Sequence, residues 1–251
     1  MEIGDLIDFA PPECLGDDAY DLPWQMTRAE RFTLLYLLQK FRPDVALEIG
    51  TYEGGSLHAI TRYAKRVITI DVDQRVPARL AGRFSNVAFE TGKSSELLPR
   101  IIEQLSNEQV GFVLIDGDHA QEAVRGDINA VLKLVPRRTV AILMHDSFMP
   151  ACREGIRRAD WRSCPYVHYV ELDFVPGAFV PASNSGGGSM VGGFAFALLR
   201  PKPRTGELTV FESQVHKFNI VMAASGGTVI AARPQMNALR RFARHFRSAS
   251  T

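Results

Sequence analysis

From Asp44 to about Arg158 the chain alternates between two kinds of apolar pattern. The runs "DVALEIG", "RVITIDVD", "NVAFETG", "VGFVLIDGD" and "TVAILMHD" are nearly continuously apolar. Each is followed by a stretch with apolar residues at helical spacing: "GGSLHAITRYA", "QRVPARLAGRF", "SSELLPRIIEQL", "AQEAVRGDINAVLKL" and "PACREGIRRAD". Continuous apolar runs this short read as strands covered on both faces. Five strand–helix units in about 120 residues predict an α/β fold: a doubly wound, mostly parallel sheet. Ahead of them, Thr27 and Glu30 have capping-box spacing and open the helix "RFTLLYLLQKF", which Pro43 stops. After them, "YVHYVELDFV" and "VGGFAFALLR" are two strands with no helix between, which predicts an antiparallel pair at one sheet edge. Their linker, "PGAFVPASNSGGGSM", reads as a mobile loop.

This pattern divides the chain into an irregular N-terminal arm (1–26), a main domain (27–200) and a C-terminal extension (201–251). In the extension "ELTVFES" and "GTVIAA" read as short strands and "MNALRRFARHF" as a basic helix. A chain of 251 residues, 46% hydrophobic and 23% charged, can bury one large α/β core. Its formal charge of +1, from 29 basic and 28 acidic side chains, points to neither nucleic acid nor an anionic membrane as the main partner. Cys14, Cys152 and Cys164 are odd in number and fit neither a zinc site nor a disulfide framework, which favours a reducing compartment. The acidic N-terminus lacks a secretory pattern and no run reaches a membrane span, so a cytoplasmic protein is expected. The segment "FNIVMAA" and the basic tail could contribute to a homo-oligomer interface.

In an open parallel sheet, ligands bind beyond the carboxyl ends of the strands. Here those ends carry, in order, Glu48, Gly50, Gly54 and Gly55; Asp71 and Asp73; Thr91, Gly92, Ser94 and Ser95; Asp116, Asp118 and His119; and His145, Asp146 and Ser147. The first loop, E-x-G-x-x-x-G, is longer than the G-x-G-x-x-G of dinucleotide sites, and Glu53 beside the helix start would repel a phosphate. That argues against a nicotinamide dehydrogenase and for a ligand with an amino-acid part and a ribose. Asp71, about 20 residues on, is placed to accept from ribose hydroxyls.

These residues carry a resemblance. "ALEIGTYEGGSLHAI", "VITIDVD", "GKSSELLPRI" and "FVLIDGDH" resemble class I S-adenosylmethionine-dependent methyltransferases, and more narrowly the metal-dependent O-methyltransferases. The glycine loop and "GKSSELLP" are similar to the catechol-type enzymes; "DGDH", "HD" and "PACREGI" are similar to the macrocin and cephalosporin-tailoring group. The resemblance spans residues 27–200. It implies a Rossmann-like fold and methyl transfer to a hydroxyl of a small polar acceptor, such as a sugar or secondary metabolite.

It also implies roles. Glu48, Gly50, Gly54 and Ser56 would shape the pocket for the methionine part of the cofactor, Asp71 would bind its ribose, and Ser94 and Ser95 would lie near its adenine. Asp116 would border the cofactor and, with His145 and Asp146, hold a divalent metal, magnesium or manganese. The family usually has two carboxylates, or a carboxylate and an amide, where this chain has His145–Asp146. An imidazole there either does not ligate or shifts preference away from magnesium. Asp118 or His119 would take the acceptor proton; if the strand stays extended, Asp116 and Asp118 face the same side. Plainer roles stand beside these: Asp118 as a helix N-cap, His119 as a solvent-facing residue, and His145 as a histidine that positions Asp146. Two other functions remain open: a metal-free methyltransferase with a histidine base, and a binding module without transfer chemistry.

Overall fold

The computed structural model describes residues 22–181 and 188–224. The arm up to residue 21 (with Cys14), the linker at 182–187, "GTVIAA" and "MNALRRFARHF" lie outside them.

The capping box forms: the Thr27 N–H donates to Glu30 Oε2 over 2.6 Å, and the Glu30 N–H to Thr27 Oγ1 over 3.4 Å. It starts α1 (Arg28–Phe41), which ends where Arg42 turns left-handed ahead of Pro43. Five units follow: β1 (Val45–Ile49) and α2 (Gly55–Tyr63); β2 (Arg66–Asp71) and α3 (Val76–Arg79); β3 (Val87–Thr91) and α4 (Ser94–Gln104); β4 (Val110–Ile115) and α5 (Gln121–Val131); β5 (Val140–His145) and α6 (Pro150–Arg158). Only α3 departs from the pattern. It makes a single turn, and Gly82, at a φ of 74°, lies outside helical backbone.

The remaining strands are β6 (Val167–Val175), β7 (Ala178–Pro181), β8 (Gly188–Val191), β9 (Phe194–Leu199) and β10 (Val210–Phe211). The main sheet runs β10-β6-β9-β5-β4-β1-β2-β3. Strands β1 to β5 pair in parallel. Strand β9 enters between β5 and β6, antiparallel to both, so the expected antiparallel pair sits at this edge with the later strand on its inner side. Strand β10, inside "ELTVFES", pairs in parallel with β6 and carries the sheet past residue 200. The two ends of the linker, expected to be mobile, contain β7 and β8, which form a separate two-stranded sheet. Among the described residues, 179–181, 188–189 and 214–224 belong to a second compact unit, whose helix α7 (Val215–Ala224) contains "FNIVMAA".

Strands β1, β2, β4 and β5 are buried on both faces because their alternate side chains enter two cores, whereas the edge strand β3 is only partly covered. Val45, Leu47 and Ile49 of β1 join Val113 and Ile115 of β4 against Ile101, Ile128 and Ile156 of the helices. On the other face, Ala46, Phe112 and Leu114 meet Leu34, Leu35 and Leu38 of α1 and Leu57 and Ile60 of α2. The strand order reverses at β1, which has β2 on one side and β4 on the other; that reversal opens the crevice where such sheets bind ligands. No helix among the described residues is long and apolar enough to cross a membrane.

Candidate active site

The glycine loop after β1 has little freedom. The Gly50 N–H donates to Ile70 O, and at a φ of 93° a Cβ there would fall 1.9 Å from the Asp116 carbonyl oxygen. Only glycine permits β4 to approach this closely. Gly54, at a φ of 89°, is the N-cap of α2. Beneath the loop lies a polar network. Glu48, fully buried, accepts from Ser56 Oγ over 2.7 Å and from Thr69 Oγ1 over 2.6 Å, and Thr69 meets the Thr51 hydroxyl at 2.6 Å. Burial pushes the Glu48 carboxyl up to about 7 in spite of the hydrogen bonds from Thr69 and Ser56. From the end of β2, Asp71 accepts the loop's Thr51 and Tyr52 N–H groups on Oδ2 and the Asp73 N–H on Oδ1.

A shallow cleft opens over this loop, lined by Pro23–Met26, Gly50–Ser56 and Asp116. Of the residues expected at the cofactor, Gly50, Gly54, Ser56 and Asp116 line the cleft. Glu48 and Asp71 stand behind it and hold its loop. Ser94 and Ser95, at the start of α4, are outside its lining. The Ser94 hydroxyl bonds Asp127, whose carboxyl burial pushes up to about 6.

Next to the cleft, the ends of β4 and β5 bring four side chains together. His119 Nε2 lies 3.2 Å from Asp146 Oδ2 and 4.0 Å from Asp116 Oδ1. His145 Nδ1 lies 3.1 Å from Asp116 Oδ1 and 3.3 Å from Asp146 Oδ2. Asp146 has a left-handed φ of 56°, a conformation aspartate tolerates better than most residues. Its Oδ1 accepts the Gly192 N–H over 2.7 Å, which leaves Oδ2 for the two imidazoles. A fifth group comes from the first turn of α1: Glu30, 1% exposed, places Oε1 3.4 Å from His145 Nε2 and accepts the Gly193 N–H.

These carboxylates set the charge of His145. Burial alone would lower it, but Asp116, with Asp146 and Glu30, outweighs burial and raises the ring to about 12. His145 is thus an imidazolium at neutral pH. Glu30, which burial would raise, is instead held down at about 2 by His145 and Thr27. Three carboxylates against one imidazolium leave the pocket negative.

A divalent cation fits such a site. Asp116, His119 and Asp146 each offer a ligand atom, and these atoms lie within 4.8 Å of one another. His145 is outside that set: its Nδ1 faces Asp116 and Asp146, and its Nε2 faces Glu30. Asp118 is also apart. Strand β4 stops at Ile115, so the strand alternation does not extend to Asp118. Asp118 lies three residues ahead of α5, its Oδ1 accepts the Ala120 N–H over 2.8 Å, and the N-cap itself is Ala120. Sequence reasoning missed Glu30, visible there only as a capping residue, and the glycine pair Gly192–Gly193, whose signal was "VGGF" ahead of β9.

Residues 47–147 match the model of a methyltransferase domain. The matched segment is similar to a methyltransferase domain. It runs from β1 to just past β5 and so contains the glycine loop, Asp71, Asp116, His119, His145 and Asp146, whereas Glu30 lies outside it. The fold around it is the class I methyltransferase fold. An O-methyltransferase from Bacillus cereus, solved in complex with SAH, is 21% identical, with 78% of this chain and 96% of that one covered and a TM-score of 0.54. The O-methyltransferase TomG from Streptomyces achromogenes, involved in tomaymycin synthesis and solved with SAM, is 19% identical, with 80% and 91% covered and a TM-score of 0.53. No curated protein sequence matches the chain significantly.

Proposed function

We infer that the protein transfers the methyl group of S-adenosylmethionine to a hydroxyl of a small polar acceptor, a sugar or secondary metabolite, with help from a divalent metal. The observation that carries this reading is the convergence of Asp116, His119 and Asp146 beside a glycine-loop cleft that Asp116 also lines. The solved relatives that hold SAM or SAH support the choice of cofactor. Asp116, His119 and Asp146 would hold the cation, which supplies Lewis acidity that lowers the pKa of the acceptor hydroxyl. Two carboxylates and an imidazole favour manganese, iron or zinc over magnesium.

The chain's own residues do the rest. Gly50 and Gly54 hold the loop in its left-handed turns, and the loop pinned by Glu48 and Asp71 orients the cofactor against the acceptor, where positioning accounts for much of the rate. With His119 engaged, Asp118 is the remaining proton acceptor on the same loop. Cys152 and Cys164, buried and unpaired with each other, fit the reducing cytoplasm.

One observation favours a second reading. His119 is half exposed and its Nε2 faces Asp146 at 3.2 Å, the pairing of a carboxylate-oriented general base, so His119 could take the hydroxyl proton without metal.

Calorimetric titration with S-adenosylhomocysteine, before and after chelation and with added Mn²⁺ or Mg²⁺, separates the two. A metal isotherm that disappears in Asp116→Ala supports the first reading. Cofactor binding with no metal isotherm leaves the second. Absence of cofactor binding overturns both.

A further inference from the structure

The first turn of α1 has a contact on each side that no capping role requires. Arg31 reaches back along the chain: its Nε donates to Met26 O and its Nη2 to Trp24 O, both over 2.9 Å, and the guanidinium stacks 5.4 Å from the Trp24 ring centre. Trp24 and Met26 belong to the wall of the cleft. Glu30, the preceding residue, points the other way. Its Oε2 takes the Thr27 N–H, while its Oε1 takes the Gly193 N–H and faces His145 Nε2.

The Glu30 contact extends to the cluster by two routes. Through the ring of His145 it meets Asp116 and Asp146, both within 3.3 Å of Nδ1. Through the glycine pair it meets the backbone that holds Asp146: Gly192 N–H donates to Asp146 Oδ1, and the Gly192 and Gly193 carbonyls accept from Phe148 and Ser147. This packing requires the glycine. A Cβ on Gly192 would sit 2.7 Å from Glu30 Oε1, and its φ is 69°. The ring of His145 is held from the side by Phe194, edge-on at 5.1 Å. A buried carboxylate with both oxygens committed, one to its own helix and one to the site, fixes the distance between the two.

We propose that Glu30 is a positioning residue for the Asp116–His119–Asp146 cluster, and that Glu30 and Arg31 form a bracket holding the cluster on one side and the cofactor cleft on the other. The proposal rests on the metal-assisted reading above. It requires the two adjacent side chains to separate in their effects, which a general loosening of α1 would not produce.

The test is a pair of variants, Glu30→Gln and Arg31→Ala, with two affinities measured on each: Mn²⁺ alone, and S-adenosylhomocysteine without metal. Glu30→Gln keeps the shape and removes the charge. It should weaken Mn²⁺ about tenfold, the scale seen when a partner of a ligating carboxylate is lost, and leave S-adenosylhomocysteine at the wild-type affinity. Arg31→Ala should do the reverse. Ring ¹⁵N signals of His145 should shift in Glu30→Gln and stay in place in Arg31→Ala. Parallel losses of both affinities in both variants would overturn the bracket, as would a Glu30→Gln protein with wild-type Mn²⁺ binding and His145 signals. If the wild type binds S-adenosylhomocysteine but no Mn²⁺, the metal reading fails by itself. The His145 signals then decide the positioning role: a shift confined to Glu30→Gln supports it, and none overturns it.

Discussion

The glycine loop and the strand-end cluster lie side by side and are both built from buried polar groups, but those groups are satisfied differently. Under the loop, Glu48, Ser56, Thr69, Thr51 and Asp71 are one another's partners, and all come from residues 48–71. The cluster draws on four distant stretches: the start of α1, the ends of β4 and β5, and the turn before β9. Its carboxylates outnumber its cations. A region whose polar groups are internally paired is rigid without a ligand; a region left with excess charge is stable only to the extent that something neutralises it. The loop should therefore respond to mutation through stability first, and the cluster through function first.

Gly50→Ala is the sharpest break of that comparison. The added Cβ would meet the Asp116 carbonyl and force a left-handed alanine, costing about 2–5 kcal/mol in urea unfolding and abolishing S-adenosylhomocysteine binding. His119→Ala tests the other side. Methyl transfer should fall by at least about 100-fold, while this half-exposed position keeps stability within about 0.5 kcal/mol of wild type. A large drop in the melting temperature of His119→Ala would erase the contrast.

Glu48→Gln refines the loop's half. Because burial raises the Glu48 carboxyl from near 4.5 to about 7, the folded state holds this proton more tightly than the unfolded state. The resulting stabilisation is complete below about 4.5 and is lost as pH rises through about 7. Melting temperatures of the Gln variant should decline less over that interval than those of the wild type. Ser56→Ala has the smallest expected effect. It removes one of the two hydroxyl donors to Glu48 and should cost about 1 kcal/mol, with Glu48 still bonded to Thr69.

Much of the fold was legible in the chain because burial on both faces leaves a local mark, a continuous apolar run, and helices leave theirs at their own period. The polar strand ends were legible for the same reason: they are where those runs stop. Sheet order was not. Nothing in "FAFALL" says that β9 will enter between β5 and β6, because strand pairing is a long-range choice between edges of similar apolar character. The surroundings of His145 were hidden too. The sequence left open whether it ligates a metal or positions Asp146, and it carried no sign of the three carboxylates, from three elements, that raise the pKa of the ring.

Glu30 shows where the division falls. By itself, the sequence determined the Thr27–Glu30 capping box, and with it one carboxylate oxygen, because both partners lie within a single helical turn. Only the tertiary structure decided the other oxygen. The packing of α1 on the sheet brings it to His145 and to Gly193, more than 100 residues away in sequence, and local spacing carries no record of that distance.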